Sequence, residues 1–201
     1  MAANQVRIVG GTWRSRLVRF HDRPGLRPTP DRVRETLFNW LGQDLTGRVA
    51  LDLYAGSGAL GFEAASRGAR RVVMVERDAA TVHALDAACA TLEARQVEVV
   101  RSDALEFLQR ERTQYDVIFL DPPFADAPWD ALFERLPARL AADAVVYCES
   151  GRPVQPRDGW TVHRAGRATF KSRSSKTVWA RSFGIILWGS TSTRTSFELP
   201  R

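Results

Sequence analysis

The sequence predicts an α/β fold, Rossmann-like, with a doubly wound and mostly parallel sheet behind an N-terminal basic β-hairpin. Three observations carry this. From residue 49 onward, short runs rich in Val, Ile and Leu alternate with helical apolar patterns. A glycine-rich turn, Gly56-Ser57-Gly58, stands between the first of these runs and the helix that follows. Before them, residues 1–28 alternate apolar residues and arginines around Gly10-Gly11. With 201 residues and 44% hydrophobic content, the chain is long enough for one domain with a sizeable core.

The elements follow in order. In RIVGGTWRSRLVRF, from Arg7 to Phe20, the residues Ile8, Val9, Trp13, Leu17, Val18 and Phe20 alternate loosely with Arg14, Arg16 and Arg19. That pattern predicts a hairpin with arginines on one side. Gly25 to Pro28 reads as a loop, and Thr29-Pro30 as a helix start with Thr as N-cap and Pro in the first turn. Val33, Leu37, Phe38 and Leu41 give the apolar stripe of that helix, which Gly42 ends. Strands are predicted at Val49–Tyr54, Arg71–Glu76, Val97–Ser102, Tyr115–Asp121 and Asp143–Ser150. Helices are predicted at Ala59–Arg67, Ala79–Leu92, Ala104–Gln109 and Trp129–Leu140. Right-handed crossovers then gather the carboxyl ends of the strands on one edge of the sheet, where ligands bind in such folds.

The end of the chain has different residue usage. Both lysines, Lys171 and Lys176, and seven of the twelve serines fall after residue 170, while Ala180 is the single alanine there. A strand near Thr177–Phe183 is expected to close the sheet. The organisation expected is therefore a hairpin and loop over 1–28, a core over 29–168, and a last strand with an atypical tail over 169–201.

Charge is distributed unevenly. The balance is +6 over residues 1–34, −8 over 35–150 and +8 over 151–201. Basic ends around an acidic centre suggest that the arms meet a polyanion while the middle does something else. No secretory leader is expected from MAANQVRIVGG. The apolar stretch from Phe183 to Trp188 is far shorter than the ~20 residues of a membrane-spanning helix. Cys89 and Cys148 lie far apart, so neither a disulfide nor a zinc site is expected, and a reducing cytoplasm fits best.

Two motifs carry chemistry. Asp52-Leu53-Tyr54-Ala55-Gly56-Ser57-Gly58 ends the first core strand and opens a helix. Its glycines permit a tight turn and close backbone approach to a ligand. Gly56 to Gly61 also fits G-x-G-x-x-G, and Glu76 ends the next strand as a ribose-binding acid would. On this motif alone a nicotinamide- or flavin-dependent oxidoreductase stays open. The second motif is Asp121-Pro122-Pro123-Phe124, at the end of the fourth core strand. Two prolines stiffen the turn. The Asp121 carboxylate and Pro122 carbonyl are then placed to accept hydrogen bonds from an amino group, with Phe124 as a stacking face for a base.

Glu76-Arg77 and Asp103-Ala104 follow the second and third core strands. With Asp52 and Asp121, these acids outline one crevice, although Asp103 reads equally well as a helix N-cap. Carboxylates gathered in this way repel one another and favour a cationic or hydrogen-bond-donating ligand. A sulfonium that also carries an α-amino group and a ribose meets that need.

RIVGGTWRSR, LRPTPDRVRETLFNWL, LDLYAGSGALGFEA and FLDPPF together resemble the class I methyltransferases, and within them the bacterial small-subunit ribosomal RNA guanine-N2 methyltransferases of the RsmD type. The resemblance runs from about residue 6 to residue 165, and beyond it the tail departs from the family pattern. It implies S-adenosylmethionine as cofactor and the N2 amino group of a guanine in 16S RNA, position 966, as target. It also implies ribosomal RNA or the small subunit as partner, with no metal and no membrane. The turn made by Asp52, Tyr54, Ala55, Gly56, Ser57 and Gly58 would hold the methionine part of the cofactor. Glu76, with Arg77 beside it, would take the ribose, Asp103 and Ala104 the adenine, and Arg27 and Thr29 would cap the cofactor. Asp121, Pro122 and Phe124 would be catalytic. Arg7, Trp13, Arg14, Arg16, Arg19 and Arg34 would meet the RNA, with Trp13 more naturally a hairpin core residue.

The rivals are an adenine-N6 DNA methyltransferase, whose related turn usually ends in Tyr rather than Phe, and a non-catalytic RNA-binding assembly factor. The short chain leaves no room for a separate DNA target-recognition domain, and Asp121, Gly56 and Gly58 weigh against an inactive protein. The cysteines, His21, His83 and His163 lack partners spaced for nucleophilic or metal chemistry, and Trp129 with Phe133 reads as core.

Overall fold

The computed structural model describes residues 4–21, 28–123, 127–151, 159–171 and 178–188. A two-stranded antiparallel ribbon, β1 (Gln5–Arg7) and β2 (Leu17–Arg19), precedes a seven-stranded sheet. The sheet contains β3 (Val49–Asp52), β4 (Arg71–Glu76), β5 (Val97–Arg101), β6 (Tyr115–Leu120), β7 (Leu140–Ser150), β8 (Trp160–Lys171) and β9 (Val178–Trp188). Its spatial order is β5-β4-β3-β6-β7-β9-β8. The first five strands in this order are parallel, and β9 and β8 add antiparallel. The helices are α1 (Asp31–Trp40), α2 (Ala59–Ser66), α3 (Ala79–Leu92), α4 (Ala104–Arg110) and α5 (Trp129–Arg135).

The central strands β3, β4 and β6 are buried on both faces, as parallel strands under crossover helices must be. Successive strand residues point to opposite sides, so two cores form. Ala50, Val72, Met74, Val117 and Phe119 pack with Leu37 and Phe38 of α1, Phe62 of α2 and Leu85 of α3. Leu51, Val73, Val75, Ile118 and Leu120 pack with Phe107 and Leu108 of α4 and Leu132 and Phe133 of α5. The hairpin joins the first core through Val6, Ile8 and Val18, which leaves Arg7 and Arg19 on its outer side.

Several element ends differ from the sequence reading by one to three residues, β7 for instance starting at Leu140 rather than Asp143, and two further differences follow from local chemistry. Thr29 does not cap α1. The cap position is Pro30, which offers no side-chain bond, and the Thr29 hydroxyl turns instead to Asp121. The helix predicted at Trp129–Leu140 stops at Arg135 and tightens into a 3-10 turn, Leu136–Arg139. Pro137 explains this, because it lacks the N–H that an α-helix needs. The strand at the sheet edge, β8, was not expected. Val162, His163, Arg164 and Ala165 are all exposed, so this stretch carries little apolar signal. The closing strand near Thr177–Phe183 exists as the longer β9, inserted between β7 and β8.

Candidate active site

The carboxyl ends of four parallel strands line up at one level. Asp52 is paired with Met74 on one side and Phe119 on the other. Two residues further along each chain stand Tyr54, Glu76 and Asp121. Glu76 is in turn paired with Arg101, two residues before Asp103. The order across the edge is thus Asp103, Glu76, Tyr54, Asp121, with Asp52 just beneath.

The turn between β3 and α2 is built on positive φ. Gly56 has φ 49° and Gly58 φ 76°. A side chain on Gly58 would strike the Phe62 ring and Leu85, so the turn lies hard against the helices behind it. Two buried acids brace it. One Asp52 carboxylate oxygen, Oδ2, accepts the Gly61 N–H at 2.9 Å. Glu76 Oε2 accepts the Gly56 N–H at 3.1 Å, and its Oε1 accepts the Asp78 N–H at 2.9 Å. Asp52 is almost wholly enclosed, and burial, helped by the neighbouring charge of Glu76, pushes its carboxyl up to about 7 against the bonds from Gly61 and Tyr54. Burial likewise raises the Tyr54 hydroxyl to about 12, within the fields of Asp103 and Arg77.

Asp103 caps α4, its Oδ1 accepting from the Leu105 and Glu106 N–H groups at 2.9 and 3.3 Å. Ala104 beside it is buried, and Arg77 is exposed. On the other flank, Pro122 is buried and Asp121 half-buried, and Asp121 Oδ2 accepts the Thr29 hydroxyl at 3.3 Å. Phe124 and Arg27 lie outside the described residues.

The expected RNA-facing residues divide. Arg14 and Arg19 are exposed and have no side-chain partner among the described residues. Arg16 donates to the Thr91 carbonyl at 3.0 Å. Arg7 makes a two-pronged contact with Asp31, at 2.7 and 3.2 Å. Trp13 is half-buried against the core. Arg34 corrects the sequence reading, because it is wholly buried and cannot meet RNA. Its guanidinium pairs with Glu63 at 3.0 Å and Asp31 at 2.6 Å. The sign was present in the sequence. Position 34 falls at helical spacing with Leu37, Phe38 and Leu41, and Glu63 stands alone in the apolar run ALGFEAAS.

Among the described residues no cluster of His, Cys, Asp and Glu could hold a metal, and no helix is long and apolar enough to cross a membrane.

A conserved family described as Conserved hypothetical protein 95 matches residues 6–173. The chain belongs to this family, the RsmD family. Among its relatives is the Ribosomal RNA small subunit methyltransferase D of Escherichia coli strain K12, 42% identical over 178 residues, covering 84% of this chain and 89% of that one. The protein of the same name from Haemophilus influenzae is 40% identical over 171 residues, covering 80% and 88%. The solved structure of Escherichia coli yhhF superposes with a TM-score of 0.77 at 37% identity, covering 92% of this chain and 98% of the other. A Geobacter metallireducens precorrin-6y C5,15-methyltransferase, at 18% identity and a TM-score of 0.65, shares the fold. The architecture is that of the class I methyltransferases.

Proposed function

We propose that this RsmD-family protein transfers a methyl group from S-adenosylmethionine to the exocyclic N2 amino group of a guanine in small-subunit ribosomal RNA. One observation carries the reading. A stiff, acid-led corner, Asp121-Pro122-Pro123, stands beside the positive-φ glycine turn and level with Glu76 and Tyr54. The names of the bacterial relatives agree with the substrate class.

The residues at the edge fit the cofactor. Two enclosed carboxylates, Asp52 and Glu76, gain from a ligand that carries a positive charge and hydroxyl donors. Each oxygen that accepts one backbone N–H keeps a lone pair for another donor. The glycine turn would hold the methionine part, Glu76 the ribose, and Asp103 with Ala104 the adenine. S-adenosylmethionine, when bound, supplies an electrophilic methyl on sulfur.

The protein's task is to prepare the nucleophile. The guanine amino nitrogen reacts poorly because its lone pair is delocalised into the ring. With both N–H groups donated to Asp121 and the Pro122 carbonyl, the nitrogen becomes pyramidal and its lone pair is aimed at the methyl. Such alignment contributes up to ~7–11 kcal/mol in well-positioned systems. The new N–C bond would be matched by loss of the methyl–sulfur bond, whose electron pair would stay on sulfur. Asp121 steadies the charge on nitrogen and takes or relays the released proton. The base must first leave its stack, at a cost of a few kcal/mol.

The test is incubation with labelled S-adenosylmethionine and, separately, small ribosomal subunits, naked ribosomal RNA and DNA, followed by nucleoside analysis. N2-methylguanosine in the RNA arms is expected. Label in N6-methyladenine, or none in any arm, would overturn the reading.

A further inference from the structure

We propose that Arg34 is a positioning residue for the transfer reaction, acting on the Asp121 corner through Thr29 and on the hairpin through Arg7. The inference rests on the role given to Asp121 above.

Arg34 is the largest fully enclosed side chain among the described residues, and its fork is spent on four oxygens from three segments. Nε donates to the Thr29 carbonyl at 3.0 Å. Nη1 donates to Glu63 Oε2 at 3.0 Å. Nη2 donates to the Arg7 carbonyl at 2.7 Å and to Asp31 Oδ1 at 2.6 Å. Glu63 Oε2 also accepts the Val9 N–H at 2.9 Å, so hairpin and α2 meet at the same pair. Its Oε1 accepts from Arg67 Nε at 3.0 Å. One planar side chain therefore joins the hairpin, the start of α1, and the helix that grows from the glycine turn.

The link to Asp121 is Thr29. This residue is buried between Pro28 and Pro30. A following proline holds it extended, and its β-branch limits the side-chain rotamers. With its carbonyl held by Arg34, its hydroxyl reaches Asp121 Oδ2 at 3.3 Å. The contact is longer than an ordinary O–H···O bond, and an ionised carboxylate has more acceptor sites than this one contact uses.

Stability alone does not explain such a node. The cost of taking two charges out of water roughly cancels their attraction, and apolar replacements for buried ion pairs are often as stable. What an apolar side chain cannot do is hold four oxygens from three segments at set angles. Lysine cannot do so either, because it lacks the planar fork.

Four variants test this: Thr29→Val, Thr29→Ser, Arg34→Lys and the double variant Thr29→Val with Arg34→Lys. They are measured for kcat, RNA KM, cofactor Kd by calorimetry, and thermal midpoint. Thr29→Val should lower kcat at saturating cofactor by roughly 10-fold or more, with RNA KM and midpoint close to wild type, and Thr29→Ser should restore the rate. Arg34→Lys should lower kcat to a similar degree and also raise RNA KM. The double variant should have the kcat of Arg34→Lys, because both changes break one path. Additive losses, a wild-type kcat in Thr29→Val, or a weakened cofactor Kd with unchanged kcat would overturn the proposal. Should Arg34→Lys not fold, the Val and Ser pair at position 29 decides alone. Asp121→Asn is assayed alongside. Its full activity would sink the functional reading itself, whereas its inactivity beside a normal Thr29→Val would sink the positioning role only.

Discussion

The acids at the sheet edge and the arginines of the first 34 residues differ in more than sign. Asp52 and Glu76 are enclosed, and backbone N–H groups of the turn and helix they brace fix their carboxylates. Arg14 and Arg19 stand in solvent with no side-chain partner among the described residues. Enclosed charge is tied to particular atoms at low dielectric, so each group carries its own effect. Exposed charge is screened beyond about 8–10 Å and acts through its number. Arg34 belongs to the basic segment by position and to the acidic edge by environment. Burial, rather than charge or sequence neighbourhood, therefore divides the residues that shape the site from those that face a partner.

Asp121→Ala should break the acidic side of this comparison most severely. Methyl transfer should fall on the order of 10³-fold, while calorimetry finds a cofactor Kd within about twofold of wild type. A transfer rate near wild type would remove Asp121 from the reaction. Arg34→Ala comes next. It leaves Glu63 with Arg67 and the Val9 N–H but without its fully buried cation, and strands the Thr29 and Arg7 carbonyls; one-sided removal from a buried pair costs about 3–5 kcal/mol. Chemical denaturation measures this, and a loss near that of an exposed arginine would mean that the node is loose.

Much of this division was legible before any coordinates. The parallel core was, because strands with both faces buried read as continuous Val, Ile and Leu runs, and Arg71–Glu76 and Ala79–Leu92 have the bounds the pattern gave. The glycine turn and the acids were legible because their chemistry is local in sequence. Arg34 was misassigned because a positive charge in a basic segment outweighed its place on the apolar stripe of α1. The bond between Thr29 and Asp121 spans 92 residues and follows from topology alone. Edge strand β8 was invisible because an edge needs few apolar residues.

Asp52 offers a test of enclosure through pH. Its folded value is about 7 against an ordinary 3.8. The folded state therefore keeps a proton that the unfolded chain has released. Stability from this group is full below about pH 4, is lost as pH rises, and is gone above about 7. Asp52→Asn has no such dependence. Relative to wild type it should gain stability between pH 4 and 7, approaching about 4 kcal/mol at most, as read from denaturation midpoints at several pH values. A constant difference across that range would mean that the carboxyl is solvated. Glu76→Gln should be milder, weakening cofactor binding by roughly 10-fold through lost charge-assisted hydrogen bonds. An unchanged Kd would leave Glu76 as a brace for the Gly56 and Asp78 N–H groups.

The smallest effect per residue is expected on the hairpin. Arg14 has no side-chain partner among the described residues, whereas Arg16 is spent in part on the Thr91 carbonyl. If both meet RNA phosphates, each contact releases condensed counterions, and log affinity falls linearly with log salt at a slope set by the number of contacts. Arg14→Glu should reduce that slope by about 1 and weaken binding evenly across RNA sequences. Arg16→Glu should reduce the slope by less than Arg14→Glu, since its guanidinium is already engaged. Binding isotherms at four or more salt concentrations, with kcat at saturating RNA as control, separate the two. Equal slopes for both variants and wild type would turn this face of the hairpin away from the RNA, and the substrate would then have to approach over the acidic edge alone, against the repulsion of its own phosphates.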